Sequence, residues 1–284
     1  MGRRQLTLQR YTRLSTERNA FFDALAVDFK PEKLPRIADL KVLSFGSCFA
    51  LNIHKALSDR GVKSTVVGFS EEVNSPFMND VYINQLIHGG SSKYHDIYRQ
   101  LTDHEWHIDG VDKDRVLAVL KDANVIVFTV GLAQIWSEKA TGKPVLLPNF
   151  EELDSYTTRF LYPKPQSEFI IDMVEAIRTV NEAAQIMLTL SPVPLQTSLS
   201  AGSVAQADCI SKSILRVAIQ FAMERELSRV HYFPSFEFFR WYSGHTSELF
   251  FGVDGKIRHP SQEMIDFVLS KFLERVAVES VAVR

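Results

Sequence analysis

The chain has 284 residues, 45% of them apolar and 23% charged, a globular balance that excludes a disordered or fibrous class and is long enough to bury one large core. A formal net charge of -2 gives no strong global field and argues against extensive nucleic-acid binding. Cys48 and Cys209, without CxxC spacing, exclude a disulfide scaffold, and no apolar run approaches the roughly 18 residues of a membrane span. With no signal-peptide core at the amino terminus, the expected location is the cytoplasm.

Residues 2–18 carry Arg3, Arg4, Arg10, Arg13 and Arg18 against the single acid Glu17. Residues 1–38 therefore read as a basic arm, solvated and packed along the domain that follows. In Lys41 to Ala50, KVLSFGSCFA, the apolar run of Val42, Leu43 and Phe45 predicts a short buried strand that stops at Gly46-Ser47. From Phe49, the residues Ile53, Ala56 and Leu57 recur at helical spacing until Gly61 ends the helix. A strand that turns at once into a helix leaves Ser47 at the strand's carboxyl edge beside helix amides, and Gly46 can adopt angles closed to other residues. Residues 64–68 predict a second strand and residues 79–88 a short helix closed by Gly89-Gly90. Between them Asn74-Ser75-Pro76 is turn chemistry, which sets Asn74 on a strand-end loop.

Asp103, His104, Glu105, His107 and Asp109 gather metal-ligating residue types, but without a sustained helical pattern they read as an exposed polar loop, and no metal is assigned. Residues 123–129, ANVIVFT, predict a strand buried on both faces, whose far end at 131–136 lies near Ser47 in a parallel sheet. Residues 137–166, with Pro144, Pro148, Pro163 and Pro165, read as a long irregular insertion loop suited to a lid or to acceptor binding. Helical spacing returns at Ile170, Met173, Val174 and Ile177, followed by a strand at 186–190. Ile210, Ile214, Val217, Ala218 and Phe221 form an apolar stripe assigned to the core. A last strand at 230–233 and a closing helix that begins near Pro260 complete the pattern. This alternation predicts a three-layer α/β/α sandwich with a mostly parallel central sheet, residues 39–284 forming one domain whose functional residues lie beyond the strands' carboxyl ends.

The pentapeptide Gly46-Ser47-Cys48-Phe49-Ala50 resembles the signature of the GSCFA family, which is similar to the SGNH (GDSL-type) esterases and acyltransferases with their flavodoxin-like fold. Further segments agree in order: TVGLAQIW from Thr129, LSPVP from Leu190, YFPSFE from Tyr232 and His259-Pro260-Ser261. The resemblance implies a serine-dependent esterase or O-acyltransferase acting on acyl groups, acetyl foremost, of a carbohydrate or polysaccharide. Ser47 matches the family's nucleophile. No cofactor or metal is required, although acetyl-CoA would serve as acyl donor for a transferase. The expected partner is a small molecule or carbohydrate, not nucleic acid.

A serine hydroxyl needs a general base, and His259, late in the chain and just before the closing helix, is the best placed of eight histidines. Pro260 at a first helical position would set that ring near a helix amino terminus, where an added positive charge is disfavoured. The DxxH spacing of the SGNH enzymes is broken, because Lys256 stands three residues before His259. Asp254 is the favoured acid, Glu237 the alternative, and a Ser-His dyad remains open. The amides of Ser47 and Cys48 are natural oxyanion donors, with Asn74, Gly131 and Gln134 as further candidates and Ala133 at the position of the family's asparagine. Trp136, Tyr162, Phe233, Phe236 and Trp241 are candidate stacking surfaces for a sugar or acyl group. Two readings compete with the serine enzyme: Cys48 as a thiolate nucleophile with its pKa lowered by a helix amino terminus, and a degenerate binding or scaffold protein that kept the fold.

Overall fold

A computed structural model describes residues 16–34, 36–46, 48–97, 112–145, 150–196, 198, 202–246 and 258–278. Its centre is a five-stranded parallel sheet built from β1 (Lys41–Gly46), β2 (Lys63–Gly68), β3 (Val125–Val130), β7 (Gln185–Leu190) and β8 (Val230–Tyr232), in the order β2-β1-β3-β7-β8. Each strand of β1, β3 and β7 is buried almost throughout, as expected for strands covered on both faces. Period-2 alternation divides their side chains. Leu43, Phe45, Ile126 and Phe128 face one layer, where Phe45 and Phe128 stack at 4.7 Å, and Val42, Val127 and Met187 face the other.

The first layer holds α3 (Pro76–His88), α4 (Lys113–Asp122), α5 (Pro163–Arg178) and α6 (Val204–Met223), and the second holds α1 (Arg18–Leu25), α2 (Cys48–Ser58) and α7 (Gln262–Val276). The protein is thus the expected α/β sandwich, and its strand order is that of flavodoxin-like sheets. No helix of the described residues is long and apolar enough to cross a membrane.

Two expectations need correction and two are sharpened. As expected, the amino-terminal arm packs along the domain from α1, with Glu17, Asn19, Ala20, Asp23 and Ala24 left exposed. Glu17 caps α1 by accepting from the amides of Asn19 and Ala20, and Phe21 and Phe22 are buried against Phe233, Phe238 and Tyr242. Burial of such rings stabilises by about 2 kcal/mol each and holds the segment on the domain. Arg3, Arg4, Arg10 and Arg13 lie outside the described residues.

The stretch 137–166 is not an irregular loop. It contributes most of a small antiparallel sheet of β4 (Gln134–Glu138), β5 (Pro144–Val145) and β6 (Tyr156–Phe160), in the order β5-β4-β6, and the first turn of α5. Pro144 and Pro163 are compatible with this order, since Pro144 sits on an edge strand and Pro163 in the first turn of a helix.

In α6 the buried face is not the apolar stripe. Asp208, Ser211 and Lys212 are buried with Leu215, Ala218 and Ile219, whereas Ile210, Val217 and Phe221 are each 42% exposed. Polar groups on a buried helix face invert the usual amphipathic rule, and here they point toward the strands' carboxyl ends. Finally, α7 starts at Gln262, two residues past Pro260. Ser261 is its N-cap, its hydroxyl accepting from the amide of Met264 at 3.4 Å, so Pro260 precedes the cap and His259 stands off the helix end.

Candidate active site

Segments following β1, β2, β3 and β7 converge at the carboxyl edge of the sheet. At the end of β1, Gly46 has φ +139°, and an added Cβ would overlap Thr129 Oγ1 and lie 2.6 Å from the Thr129 carbonyl. Only glycine fits this turn. Ser47, the expected nucleophile, lies outside the described residues, between Gly46 and the first residue of α2, Cys48.

His259 is brought to this position from the other end of the chain. One ring nitrogen of His259, the Cys48 sulfur and a carboxylate oxygen of Glu71 all lie within 4.8 Å of one another. Glu71 follows β2, and sequence reasoning missed it. Arg258 explains how the three groups meet. Its guanidinium binds Glu71 Oε2 at 2.9 Å, the Pro194 carbonyl at 2.8 Å and Gln196 Oε1 at 3.0 Å, tying the segment before α7 to the loops after β2 and β7. This half-buried pair fixes the backbone that carries His259. A sulfur, an oxygen and an imidazole so close together are a donor set that a zinc-like ion could use. The guanidinium already occupying Glu71 makes a polar network the better fit.

The thiol of Cys48 donates to Glu71 Oε1 at 3.7 Å. Burial, and then the charge of Glu71, push its pKa up rather than down. This direction is opposite to the lowered pKa that a thiolate nucleophile beside a helix amino terminus would need.

Asn74 is buried on the strand-end turn, as expected, and its carbonyl accepts from the amides of Gly131 (3.1 Å) and Leu132 (2.9 Å). The Gly131 N–H is therefore committed to Asn74 and does not face the crevice as an oxyanion donor would. Gly131 packs between the two polar groups instead: an added Cβ would stand in ordinary contact, 3.4 Å from Asn74 Nδ2 and 3.6 Å from Lys212 Nζ. Those groups, with Glu71, Ser191 and Leu195, line a small crevice. Lys212 is 3% exposed, its ammonium donates to the Gly131 carbonyl at 3.0 Å, and Asp208 lies 3.9 Å away. Burial pulls its pKa down to about 8, partly offset by Asp208.

The remaining candidates fall elsewhere. Gln134 and Trp136 line a separate small cavity on the far side of the 73–75 turn, with Ser75 and Phe77. Ala133 is buried, its amide bonded to Ser211 and its carbonyl to Gln166. Glu237 does not serve His259, because Arg216 holds one of its oxygens and the Tyr232 hydroxyl the other, each at 2.6 Å. Asp254, Lys256 and the Asp103 to Asp109 cluster lie outside the described residues. Phe233 is core, Tyr162 is exposed, and Phe236 and Trp241 line a larger cavity next to the crevice. Glu71 had a readable signal, an acid just past a strand end, but its pairing with a residue 187 positions away had none.

No curated protein matches the sequence. Among solved structures the chain is similar to a carbohydrate esterase family 2 enzyme plus carbohydrate binding domain from Corynascus thermopiles (Myceliophthora fergusii), at 15% identity and a TM-score of 0.45, covering 86% of this chain and 67% of that one. It is also similar to a family two carbohydrate esterase from Clostridium thermocellum, at 11% identity and a TM-score of 0.41, covering 86% of this chain and 65% of the other. A GDSL-like lipase from Bacteroides thetaiotaomicron is covered over 98% of its length by 92% of this chain, at 9% identity and a TM-score of 0.40. The model of the GSCFA family matches residues 41–272, from the start of β1 into the last helix. The chain belongs to the GSCFA family.

Proposed function

We propose that the protein is a serine-dependent esterase or O-acyltransferase that moves an acyl group from or to a carbohydrate hydroxyl through an acyl-enzyme on Ser47. The observation that carries this reading is the approach of His259 to Cys48, the residue directly after Ser47, across the whole length of the domain. Ser47 Oγ attacks the ester carbonyl carbon while His259 accepts its proton. The oxyanion that forms is stabilised by Asn74 Nδ2 and the amides that open α2, and loss of one such donor costs about 3 kcal/mol. The ester C–O bond then breaks, and His259 returns the proton to the departing alcohol. Water or a sugar hydroxyl attacks the acyl-serine in the second half, His259 again taking the proton, and Ser47 is released. Glu71 acts with Arg258 as a positioning pair that holds the His259 segment, in place of the missing DxxH acid. The carbohydrate partner rests on the resemblance to SGNH enzymes, as does an acyl-CoA donor in the transferase form.

A second reading, a binding protein on the same fold, is favoured by Ala133, whose buried backbone bonds give it a purely structural role where SGNH enzymes place an amide donor. Hydrolysis of p-nitrophenyl acetate by wild type, Ser47→Ala and His259→Ala, with folding followed by circular dichroism, separates the two. The enzyme reading expects turnover that both substitutions abolish in folded protein; turnover indifferent to both would refute it.

A further inference from the structure

Beside the crevice lies a cavity of about 880 Å³, large enough for a drug-sized ligand. The two spaces share Pro194, Leu195 and Lys212 as common wall, and Arg258, the neighbour of His259, lines the larger one. A molecule reacting at the crevice therefore has this cavity as the nearest room for its remaining atoms.

The chemistry of the walls says what those atoms are. Pro194, Leu195, Val204, Val217, Phe236 and Trp241 present mostly carbon, and Val204, Val217 and Trp241 are 40%, 42% and 52% exposed at its mouth. Large apolar side chains held open to water in a concave site mark a place that gains by being covered. The charged groups are committed to one another. Arg216 binds Glu237 at 2.6 Å, Arg240 binds Asp208 at 2.6 Å, and Arg258 binds Glu71 at 2.9 Å. A sugar ring needs hydrogen-bonding partners for its hydroxyls, and breaking these pairs to supply them would strand charges. A hydrocarbon asks nothing of them. At the boundary with the crevice, the buried Lys212 ammonium suits the polar carbonyl or carboxylate end of an acyl compound.

We propose that this cavity takes the hydrocarbon portion of the acyl group, so that the ester substrate carries a medium-length aliphatic chain rather than acetyl. The chain lies between α6 and the segment after β8, and the ester carbonyl sits at the crevice by Asn74 and His259. This deepens the acyl-transfer reading and rests on it for the position of the reactive end.

The test combines a binding and a kinetic measurement. Binding of 11-(dansylamino)undecanoic acid is followed by fluorescence in wild type, Ala205→Trp and Val217→Trp; both positions line the cavity from exposed turns of α6, where a larger side chain does not disturb the core. Saturable binding that decanoate displaces and acetate does not, weakened tenfold or more by either tryptophan, supports the assignment. In wild type kcat/KM should rise at least tenfold from p-nitrophenyl acetate to the octanoate, and the octanoate-to-acetate ratio should fall in both variants. Absence of probe binding, or binding equal in all three proteins, overturns the assignment, as does an octanoate-to-acetate ratio below one in a wild type that turns over both esters. Probe binding without turnover of any ester would strike the acyl-transfer reading and leave the cavity's ligand in place.

Discussion

Two buried charges in the same helical layer, Lys212 on α6 and Asp80 on α3, differ in what surrounds them. Asp80 is enclosed. The Tyr94 hydroxyl donates to one of its oxygens at 2.6 Å, Asn84 Nδ2 to the other at 2.6 Å, and Lys93 lies 3.9 Å away. Lys212 has one close partner, the Gly131 carbonyl, and faces two cavities. Burial penalises both charges to a similar degree, moving Asp80 up to about 6 and Lys212 down to about 8. Energetic cost therefore does not identify a functional site; the unfilled space beside the charge does.

The widest separation between the two regions is expected in activity. His259→Ala should lower ester turnover by about a thousandfold, roughly 4 kcal/mol of transition-state stabilisation, with the melting temperature little changed. Asp80→Asn should do the opposite, leaving turnover intact and altering stability.

The stability effects have opposite pH signatures. Asp80 is harder to ionise folded than unfolded, so its contribution is fully present below pH 3.8 and is lost as pH rises through about 6. Asp80→Asn should therefore gain about 3 kcal/mol relative to wild type between pH 3 and pH 7, read from urea midpoints. Lys212 is harder to protonate folded than unfolded, so its contribution is present above pH 10.5 and is lost as pH falls through about 8. Relative to Lys212→Met, wild type should gain about 3 kcal/mol from pH 8 to pH 10.5. A flat difference at either site would remove the claim that burial is charged there.

Smaller effects test how the crevice is held. Glu71→Gln releases the Arg258 guanidinium from its carboxylate, and turnover should fall about thirtyfold, or about 2 kcal/mol, chiefly in kcat as His259 loses its fixed position. Glu71→Asp should recover part of the loss. At the bottom of the scale, Lys212→Met should cost about tenfold in kcat/KM.

The fold was legible where local pattern and burial agree. The run Val42, Leu43, Phe45 followed by Gly46 is readable because a strand covered on both faces must be apolar and its turn has no room for a Cβ. The phase of α6 was not, since Asp208, Ser211 and Lys212 are buried for the crevice and Ile210, Val217 and Phe221 are left outside. The small sheet at 134–160 escaped notice because its short strands depend on cross-strand partners such as Trp136 with Thr158. The strand-end position of Asn74 was readable from turn chemistry, and His259 was singled out by its place late in the chain. Glu71, Arg258 and Lys212 meet only through tertiary contacts, which spacing along the chain does not encode.

The central claim is that His259 activates Ser47, and intact-mass measurement after treatment with a fluorophosphonate tests it most directly. Wild type should gain one phosphonyl adduct, Ser47→Ala none, and His259→Ala the same adduct at a rate lowered by a hundredfold or more. A folded wild type that gains no adduct, or an adduct that persists in Ser47→Ala, would contradict the account.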